Sequence, residues 1–363
     1  MKLKSDFLIV GAGAIGLSSA IELLQRGAKV TILERGTTGK ESSWAGGGIL
    51  SALCPWDYPD EVTRLTNRGA ALFPAWVEAL YSTTGIDPEY ELSGMLVLPP
   101  FDASVALRWC DAHDVPIQFF KTVNLPQIVQ TEALYLPQVA QVRNPRLMHA
   151  LRALVEILGG HIVEHCEVHE ILHGDGKVNG LTTSIAEYQA DNYIVTAGAW
   201  SKQVLGQNAL KIDIKPIKGQ MLLFKFTTPP LSHIILQGDM YLIPRRDGHL
   251  LVGSTLEDVG FDKNITQVAH DSLRLRAEAV LPQLHDVPLI QHWAGLRPGS
   301  PRNIPTIGRH PNLNNLYVSS GHFRYGVTMA TASVEILLNG ILKQPQPIDV
   351  TPYQAGWGNA VPH

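Results

Sequence analysis

A glycine-rich turn near the amino terminus is the clearest sign of chemistry in this sequence. Gly11, Gly13 and Gly16 follow the apolar residues 7–10 with G-x-G-x-x-G spacing. The first glycine of this motif permits a sharp turn, the second lets backbone N–H groups approach a pyrophosphate, and the third lets helix and strand pack closely. The amino terminus of the following helix adds partial positive charge. The turn therefore predicts a dinucleotide site.

An acidic residue stands where such a site requires one. Glu34 follows a second apolar run, residues 30–33, and lies about 20 residues beyond the turn, where a carboxylate can accept hydrogen bonds from ribose hydroxyls. A glycine motif alone is weak evidence, but a strand before it, a helix after it and this acid strengthen the prediction. The motif does not separate NAD from FAD.

A second glycine-rich stretch favours a flat cofactor. Residues 42–49 read Ser-Ser-Trp-Ala-Gly-Gly-Gly-Ile and are small and largely uncharged. A flavin ring needs such a surface, together with N–H donors near its N5 and O4 edge. A flexible glycine loop without a ligand is the alternative interpretation of this stretch taken alone.

The elements around these motifs predict an open α/β sheet. A strand at residues 7–10, a helix and a strand at residues 30–33 form one βαβ unit. Two later strands, residues 193–196 and 316–319, are each followed by small residues, and a helix is predicted over residues 327–338. Ligands bind at the carboxyl ends of strands in such sheets, so these strand ends predict one ligand held by a discontinuous domain.

The regions in between predict an antiparallel sheet in a second domain. Residues 90–98 and 218–226 have strand-like mixtures, and residues 241–253 read as a hairpin. A chain of 363 residues is long enough for two cores. The predicted class is α/β (α+β, two domains), with a Rossmann-like cofactor-binding domain and an antiparallel-sheet substrate domain. The predicted boundaries are residues 1–85, 140–215 and 291–363 for the first domain and 86–139 and 216–290 for the second.

Composition and charge argue against several other classes of protein. The chain has 45% hydrophobic residues, a formal net charge of −4 and no run of Lys or Arg, which argues against a nucleic-acid partner. Cys54, Cys110 and Cys166 form no CxxC pair and are expected to be free thiols. The fourteen histidines show no metal-ligand spacing, so no metal is predicted. No GxSxG elbow occurs, although the sequence leaves a Ser-His-Asp triad open.

The amino-terminal segment predicts no targeting signal. Residues 7–21 are uncharged and follow Lys2 and Lys4, as in a signal peptide, but three glycines interrupt them. Glu22 then closes the run too early for a membrane span. We expect a cytoplasmic protein with no stable membrane association.

Four motifs together resemble the D-amino acid oxidase family of flavoproteins, and within it the glycine oxidases. They are residues 11–16 with Glu34 and Arg35, residues 42–50, residues 293–299 (Trp-Ala-Gly-Leu-Arg-Pro-Gly) and residues 321–326 (Gly-His-Phe-Arg-Tyr-Gly). The resemblance covers nearly the whole chain, and the last two motifs are the most specific. It implies a fold of the D-amino acid oxidase type, non-covalently bound FAD and a homo-oligomer.

The resemblance also implies which residues contact FAD. Val168 matches the position whose backbone meets the adenine, and the run from His322 to residue 328 matches the segment around the pyrimidine edge of the ring. The full set of predicted FAD-binding residues is Gly11, Gly13, Ala14, Ile15, Gly16, Glu34, Arg35, Ser42, Ser43, Gly47, Gly48, Ile49, Val168, His322, Phe323, Arg324, Tyr325, Gly326, Val327 and Thr328.

Three residues match substrate-contacting positions of the family. Arg297 matches the arginine that binds the substrate carboxylate, Arg324 a second arginine, and Tyr241 a pocket tyrosine. A guanidinium suits a carboxylate because its planar fork donates two charge-assisted hydrogen bonds. The alternatives are an ion pair for Arg297, a surface position for Arg324 and a core position for Tyr241. Two positions depart from close relatives: Ile49 stands where Met is frequent, and Asp239 stands where a relative has His.

The implied reaction is oxidative deamination of a small amino acid such as glycine, sarcosine or a small D-amino acid. A hydride passes from Cα to flavin N5, and dioxygen reoxidises the flavin and gives hydrogen peroxide. The products are a 2-oxo acid such as glyoxylate and ammonia or an amine, with a role in thiamine thiazole synthesis. No catalytic acid or base is assigned. The alternatives are a dehydrogenase that uses another electron acceptor and a non-catalytic FAD- or NAD-binding module.

Overall fold

The computed structural model describes residues 5–123 and 131–358. Lys2 and Lys4, and the ends of two predicted domain segments, lie outside these residues. The strands are β1 (Ser5–Val10), β2 (Val30–Leu33), β3 (Ile49–Leu50), β4 (Met95–Leu98), β5 (Gln118–Val123), β6 (Thr131–Leu136), β7 (Ala140–Gln141), β8 (His161–Val163), β9 (Val168–Gly174), β10 (Lys177–Thr183), β11 (Glu187–Tyr188), β12 (Ala190–Val195), β13 (Lys215–Lys225), β14 (Ile234–Gln237), β15 (Met240–Pro244), β16 (His249–Gly253), β17 (Leu289–Gly299), β18 (Thr306–Arg309) and β19 (Leu316–Ser320). The α-helices are α1 (Ala14–Gln25), α2 (Ser42–Ala45), α3 (Asp60–Thr84), α4 (Ala103–Ala112), α5 (Asn144–Ile157), α6 (Ser201–Leu205), α7 (Gln267–Val280), α8 (Gly326–Leu342) and α9 (Thr351–Gln354).

A six-stranded sheet carries the predicted βαβ unit. Its strand order is β18-β19-β12-β1-β2-β8, and its strands are parallel except for β18. The strand β1 is apolar over residues 7–10 because helices cover one of its faces and other strands and loops cover the opposite face. Its neighbours are the two strands that the sequence predicted at residues 30–33 and 193–196. The predicted α/β fold class is confirmed.

The helices on one face of this sheet form the main hydrophobic core. Helix α8 packs against α1 and α3, and α5 packs against α1. In the described part of the chain, the helical stretch Phe323–Leu342 is long and apolar enough to cross a membrane by length and composition. Most of this stretch is buried between the neighbouring helices, so its apolar character is accounted for by the core.

An eight-stranded sheet contains the predicted hairpin. Its order is β17-β13-β16-β15-β14-β4-β6-β5, and α7 packs on it through Leu273 and Ala277. The hairpin β15–β16 was predicted within residues 241–253 and is confirmed. The prediction of a purely antiparallel sheet was wrong at one place, because β4 and β14 pair in parallel. Only Met95–Leu98 of the strand-like residues 90–98 forms a strand.

The predicted division into two domains agrees with most of the strand pairing. Every strand of the six-stranded sheet comes from the segments predicted for the cofactor-binding domain. Strand β17 differs, because it pairs with β13 of the larger sheet along its whole length. Residues 291–299 of this strand were nevertheless assigned to the cofactor-binding domain. The domain boundaries themselves stay a prediction.

Candidate active site

One large cavity joins the carboxyl ends of β1, β2, β12 and β19 to the larger sheet. Segments that are far apart in the chain meet here because parallel strands end at the same edge of a sheet. Nearly all of the predicted FAD-binding and substrate-binding residues line this cavity: Gly11, Gly13, Ala14, Ile15, Glu34, Arg35, Ser42, Ser43, Gly47, Gly48, Ile49, Val168, Tyr241, Arg297, His322, Phe323, Arg324, Tyr325, Gly326, Val327 and Thr328.

Gly16 is the one predicted cofactor residue that does not line the cavity. A Cβ atom built on Gly16 would lie 2.0 Å from the carbonyl oxygen of Gly11 and 2.7 Å from Thr196 Oγ1. Gly16 therefore lets α1 pack closely on the preceding turn, which is the packing function of the third glycine in the motif. Contact of Gly16 with FAD stays a prediction.

The turn between β1 and α1 borders the cavity. Gly11 has φ of +107°, a conformation that other residues rarely adopt, and a Cβ there would lie 2.7 Å from the carbonyl oxygen of Thr196. The N–H of Ala14 donates to Ser43 Oγ at 3.0 Å. The hydroxyl of Ser43 therefore lies beside the amino terminus of α1, where anionic groups are stabilised.

The predicted ribose-binding acid is oriented by the backbone. Glu34 accepts hydrogen bonds from the N–H of Ala12 at 2.8 Å and from the N–H of Gly36 at 2.9 Å, through different carboxylate oxygens. Both oxygens can accept further bonds, because a carboxylate has about four acceptor sites. Next to it, the Arg35 guanidinium lies 4.0 Å from the centre of the Trp200 ring. Trp200 lines the cavity and was not predicted as a site residue, although it lies just beyond the strand predicted at residues 193–196.

The second glycine-rich stretch forms a loop along the cavity. Gly48 has φ of +75°, and a Cβ there would lie 2.1 Å from the carbonyl oxygen of Val142. Asn144, at the start of α5, lies beside this loop, and neither polar atom of its buried amide has a partner among the described residues. Sequence reasoning missed Asn144, since its type and position are also those of an ordinary helix start.

Arg297 projects into the cavity from β17, and it has no ion-pair partner in the described part of the chain. Its Nη2 donates to Ser254 Oγ at 2.6 Å and its Nη1 to the carbonyl oxygen of Thr255 at 3.2 Å. Among the described residues, no carboxylate lies within 4.0 Å of the guanidinium. Burial lowers the pKa of Arg297 from its ordinary value. The guanidinium retains further N–H donors, so the arrangement suits an anionic ligand.

A glycine on the neighbouring strand makes room for this guanidinium. Gly219 on β13 pairs with Gly295 on β17, two residues before Arg297. A Cβ on Gly219 would lie 2.1 Å from Arg297 Nη1. Nothing in the sequence pattern singled out Gly219, because its importance depends on pairing with Gly295, 76 positions further along the chain.

The other two predicted substrate residues also lie in the cavity. Tyr241 is buried on β15, and its hydroxyl donates to Met221 Sδ at 3.3 Å. The charge of Arg324 is close enough to Arg297 to contribute to lowering the pKa of Arg297. Asp239, noted as a departure from relatives, pairs instead with Arg276 at 2.5 Å and does not line the cavity.

The turn between β19 and α8 closes one end of the cavity. His322 is buried, and its Nε2 lies 3.0 Å from Ser333 Oγ of α8. Burial lowers the pKa of His322 to about 3, so the ring is neutral at physiological pH. Thr328 Oγ1 donates to the carbonyl oxygen of Ile49 at 3.1 Å, which ties α8 to the glycine-rich loop. Burial also raises the pKa of Tyr325 well above its ordinary value.

The donor set of this cavity fits FAD. The β1–α1 turn and α1 suit the pyrophosphate, and Glu34 suits the ribose. A Cβ on Gly48 would lie 2.1 Å from the carbonyl oxygen of Val142, so the loop stays close to this segment, and the buried amide of Asn144 beside it has no partner among the described residues. A small-residue surface with unused polar atoms matches the flat, polar-edged ring of a flavin.

Comparison with known proteins agrees with this interpretation. A family model described as "DAO: FAD dependent oxidoreductase" matches residues 6–338. A glycine oxidase from Pseudomonas aeruginosa is 42% identical over 354 residues, which cover 95% of this chain and 97% of the relative. A glycine oxidase from Pseudomonas putida is 38% identical over 358 residues, which cover 97% and 98%.

Solved structures show the same similarity at the level of the fold. The crystal structure of glycine oxidase from Geobacillus kaustophilus matches with a TM-score of 0.90 and 25% identity, covering 96% of this chain and 98% of that one. Iminodiacetate oxidase from Chelativorans sp. BNC1 matches with a TM-score of 0.87 and 25% identity over the same shares. The chain therefore belongs to the FAD-dependent oxidoreductase family and is an FAD-dependent amine oxidoreductase similar to the glycine oxidases.

Proposed function

We propose that this protein oxidises glycine and other small amines, including sarcosine and small D-amino acids. The products are a 2-oxo acid such as glyoxylate, ammonia or an amine, and hydrogen peroxide. The observation that carries the proposal is the Arg297 guanidinium in the wall of the cavity, which contacts no carboxylate of the described residues. The acids that line the cavity, Glu34, Glu41 and Glu167, belong to the dinucleotide side and leave Arg297 free for a carboxylate.

Arg297 binds and orients the substrate in this proposal. Its fork grips the carboxylate through two charge-assisted hydrogen bonds, and its bonds to Ser254 and Thr255 restrict its own motion. Arg324 adds positive charge, and the buried ring of Tyr241 limits the size of the substrate's side chain. Holding the carboxylate restricts where Cα can lie relative to the bound cofactor, and such positioning is the main requirement of this reaction.

The remaining chemistry needs little acid–base catalysis from the protein. When bound, FAD would accept the hydride and would then be reoxidised by dioxygen. The neutral His322 exchanges no proton near pH 7 and serves to shape the turn before α8. The amino terminus of α8 provides N–H groups and a positive dipole end that stabilise negative charge. Released imine is hydrolysed by water.

An anaerobic titration tests the proposed substrate class. Glycine, sarcosine and D-alanine are added in turn to the FAD-loaded protein, and loss of the oxidised flavin absorbance is followed. We expect bleaching with at least one of them and, after air is admitted, recovery with stoichiometric hydrogen peroxide. Bleaching without recovery in air would indicate a dehydrogenase, and no bleaching with any of the three would refute an amine oxidase.

A role in thiamine thiazole synthesis is part of this proposal. The bifunctional protein ThiO/ThiG of Synechocystis sp. is 31% identical over 95% of this chain, which spans 52% of that relative. We also propose a cytoplasmic homo-oligomer that forms no stable membrane association. Growth of a deletion strain with and without added thiazole tests the pathway, and sedimentation of the purified holoprotein tests the assembly.

A further inference from the structure

A buried arginine behind the cavity has no part in the function proposed above. Arg245 directly follows β15 and is 3% exposed. In the described part of the chain it forms no ion pair within 4.0 Å. Burial, and secondly the charge of Arg143, lower the pKa of Arg245 to about 10, so the guanidinium is still a cation at neutral pH. Burying a cation that no carboxylate contacts is unfavourable. The hydrogen bonds that Arg245 makes instead indicate its role.

The guanidinium of Arg245 holds the glycine-rich loop from behind. Its Nη2 donates to the carbonyl oxygen of Gly47 at 2.7 Å, and its Nη1 donates to Gln141 Oε1 at 2.7 Å and to the carbonyl oxygen of Val142 at 2.9 Å. The N–H of Val142 in turn donates to the carbonyl oxygen of Gly48 at 2.9 Å. The carbonyl groups of Gly47 and Gly48 are therefore both bound, the first by Arg245 next to β15 of the larger sheet and the second by Val142 next to β7.

The planarity of the peptide bond fixes the direction in which the N–H group of Gly48 points. The bond between Gly47 and Gly48 is trans, so its C=O and N–H groups point in opposite directions. Because the carbonyl of Gly47 faces Arg245, the N–H of Gly48 faces the other side of the loop, which lines the cavity. Among the described residues, no group accepts a hydrogen bond from this N–H.

We propose that Arg245 is a positioning residue, which orients the Gly47–Gly48 peptide so that the Gly48 N–H donates to the edge of the bound flavin ring. The cation behind the peptide also polarises that N–H toward the cavity, where the ring gains negative charge on reduction. The inference rests on the proposed position of the ring against this loop. It does not depend on which amine is the substrate.

The test compares Arg245→Met with Arg246→Met in the FAD-loaded full chain. Arg246 is the matched control because it is the next residue, yet it is exposed and pairs with Asp87 and Glu91. We expect Arg245→Met to raise the dissociation constant of FAD about ten-fold, the effect of one charge-assisted hydrogen bond. We also expect a more negative midpoint potential of the bound flavin against a reference dye. Arg246→Met should change neither quantity.

A second variant separates this role from a merely structural one. Arg245→Lys keeps the charge but lacks the planar fork, so its FAD affinity and midpoint potential should fall between wild type and Arg245→Met. If Arg245→Met does not fold, the FAD affinity and midpoint potential of Arg245→Lys test the inference. A folded Arg245 variant with wild-type affinity and potential, or with lowered stability alone, would overturn the inference. Neither measurement uses glycine, so failure of the proposed amine oxidation would be seen separately.

Discussion

At the scale of single residues, the site depends on two arginine charges that form no ion pair with any described residue. Arg297 has hydrogen bonds to a hydroxyl and a carbonyl but no carboxylate partner among the described residues. Within the described ranges, Arg245 is likewise bound by carbonyl and amide oxygens and by no carboxylate. The first cation faces the cavity and the second lies behind it, so one is suited to the substrate and the other to the loop that borders the cofactor.

Replacement of Arg297 tests the carboxylate assignment. Arg297→Ala removes two charge-assisted hydrogen bonds, each worth about 1.5–3 kcal/mol, and should raise KM for glycine on the order of 100-fold or more. FAD affinity should be unchanged. Steady-state oxygen consumption and fluorimetric FAD titration measure the two effects, with Arg309→Ala as the exposed control. A wild-type KM in Arg297→Ala would remove Arg297 from this role.

His322 should make the stability of the protein sensitive to acid. Its pKa is lowered from 6.5 to about 3 by burial, so the folded state keeps the ring neutral while the unfolded chain binds a proton below pH 6.5. Stability should therefore fall as the pH drops from about 6.5 toward 3. His322→Gln should flatten this part of a plot of Tm against pH relative to wild type. Equal slopes in wild type and His322→Gln would contradict the assignment.

At the scale of elements, the glycines of the β1–α1 turn have different structural roles. Gly13 lines the cavity, and a Cβ there would lie 3.1 Å from Ser43 Oγ, whereas Gly16 packs against Gly11. Gly13→Val should therefore abolish FAD retention and leave the apoprotein's thermal unfolding almost unchanged. Gly16→Val should destabilise the apoprotein itself. Flavin absorbance per protein and apoprotein Tm separate the two. A yellow Gly13→Val variant that is fully loaded with FAD would contradict the prediction for Gly13.

The pairing of β13 with β17 makes a second element-scale prediction. Gly219→Ala places a methyl group 2.1 Å from the present position of Arg297 Nη1, so the guanidinium must move. KM for glycine should rise while FAD affinity stays at the wild-type value. Gly340→Ala in α8 is the control, because its Cβ would make an ordinary contact of 3.7 Å. An unchanged KM would show that the position of Arg297 tolerates the displacement.

At the scale of the whole molecule, one ligand should bind together parts of two sheets. The cavity is lined by the ends of four strands of the six-stranded sheet and by Tyr241 and Arg297 of the eight-stranded sheet. A ligand that binds only the folded state stabilises it by about 2.7 kcal/mol at a concentration 100 times its Kd. Added FAD should therefore raise the Tm of the apoprotein by several degrees, measured by calorimetry. An unchanged Tm would contradict binding across this cavity.

The sequence alone determined the local structure around the dinucleotide site. Continuous apolar strands, helical periodicity and the spacing of Gly11, Gly13 and Gly16 depend on backbone geometry over a few residues, and they were interpreted correctly as β1, α1 and β2. The hairpin β15–β16 was recognisable for the same reason. The family motifs at residues 293–299 and 321–326 indicated the site segments but not their arrangement.

Only the tertiary structure decided which side chains share one cavity and what supports them. The parallel pairing of β4 with β14, the space that Gly219 leaves for Arg297, and the grip of Arg245 on the loop all join residues far apart in the chain. Strand register and burial arise from such long-range packing, and no local pattern encodes them. The sequence thus identified the chemistry, and the packing of the two sheets placed its groups.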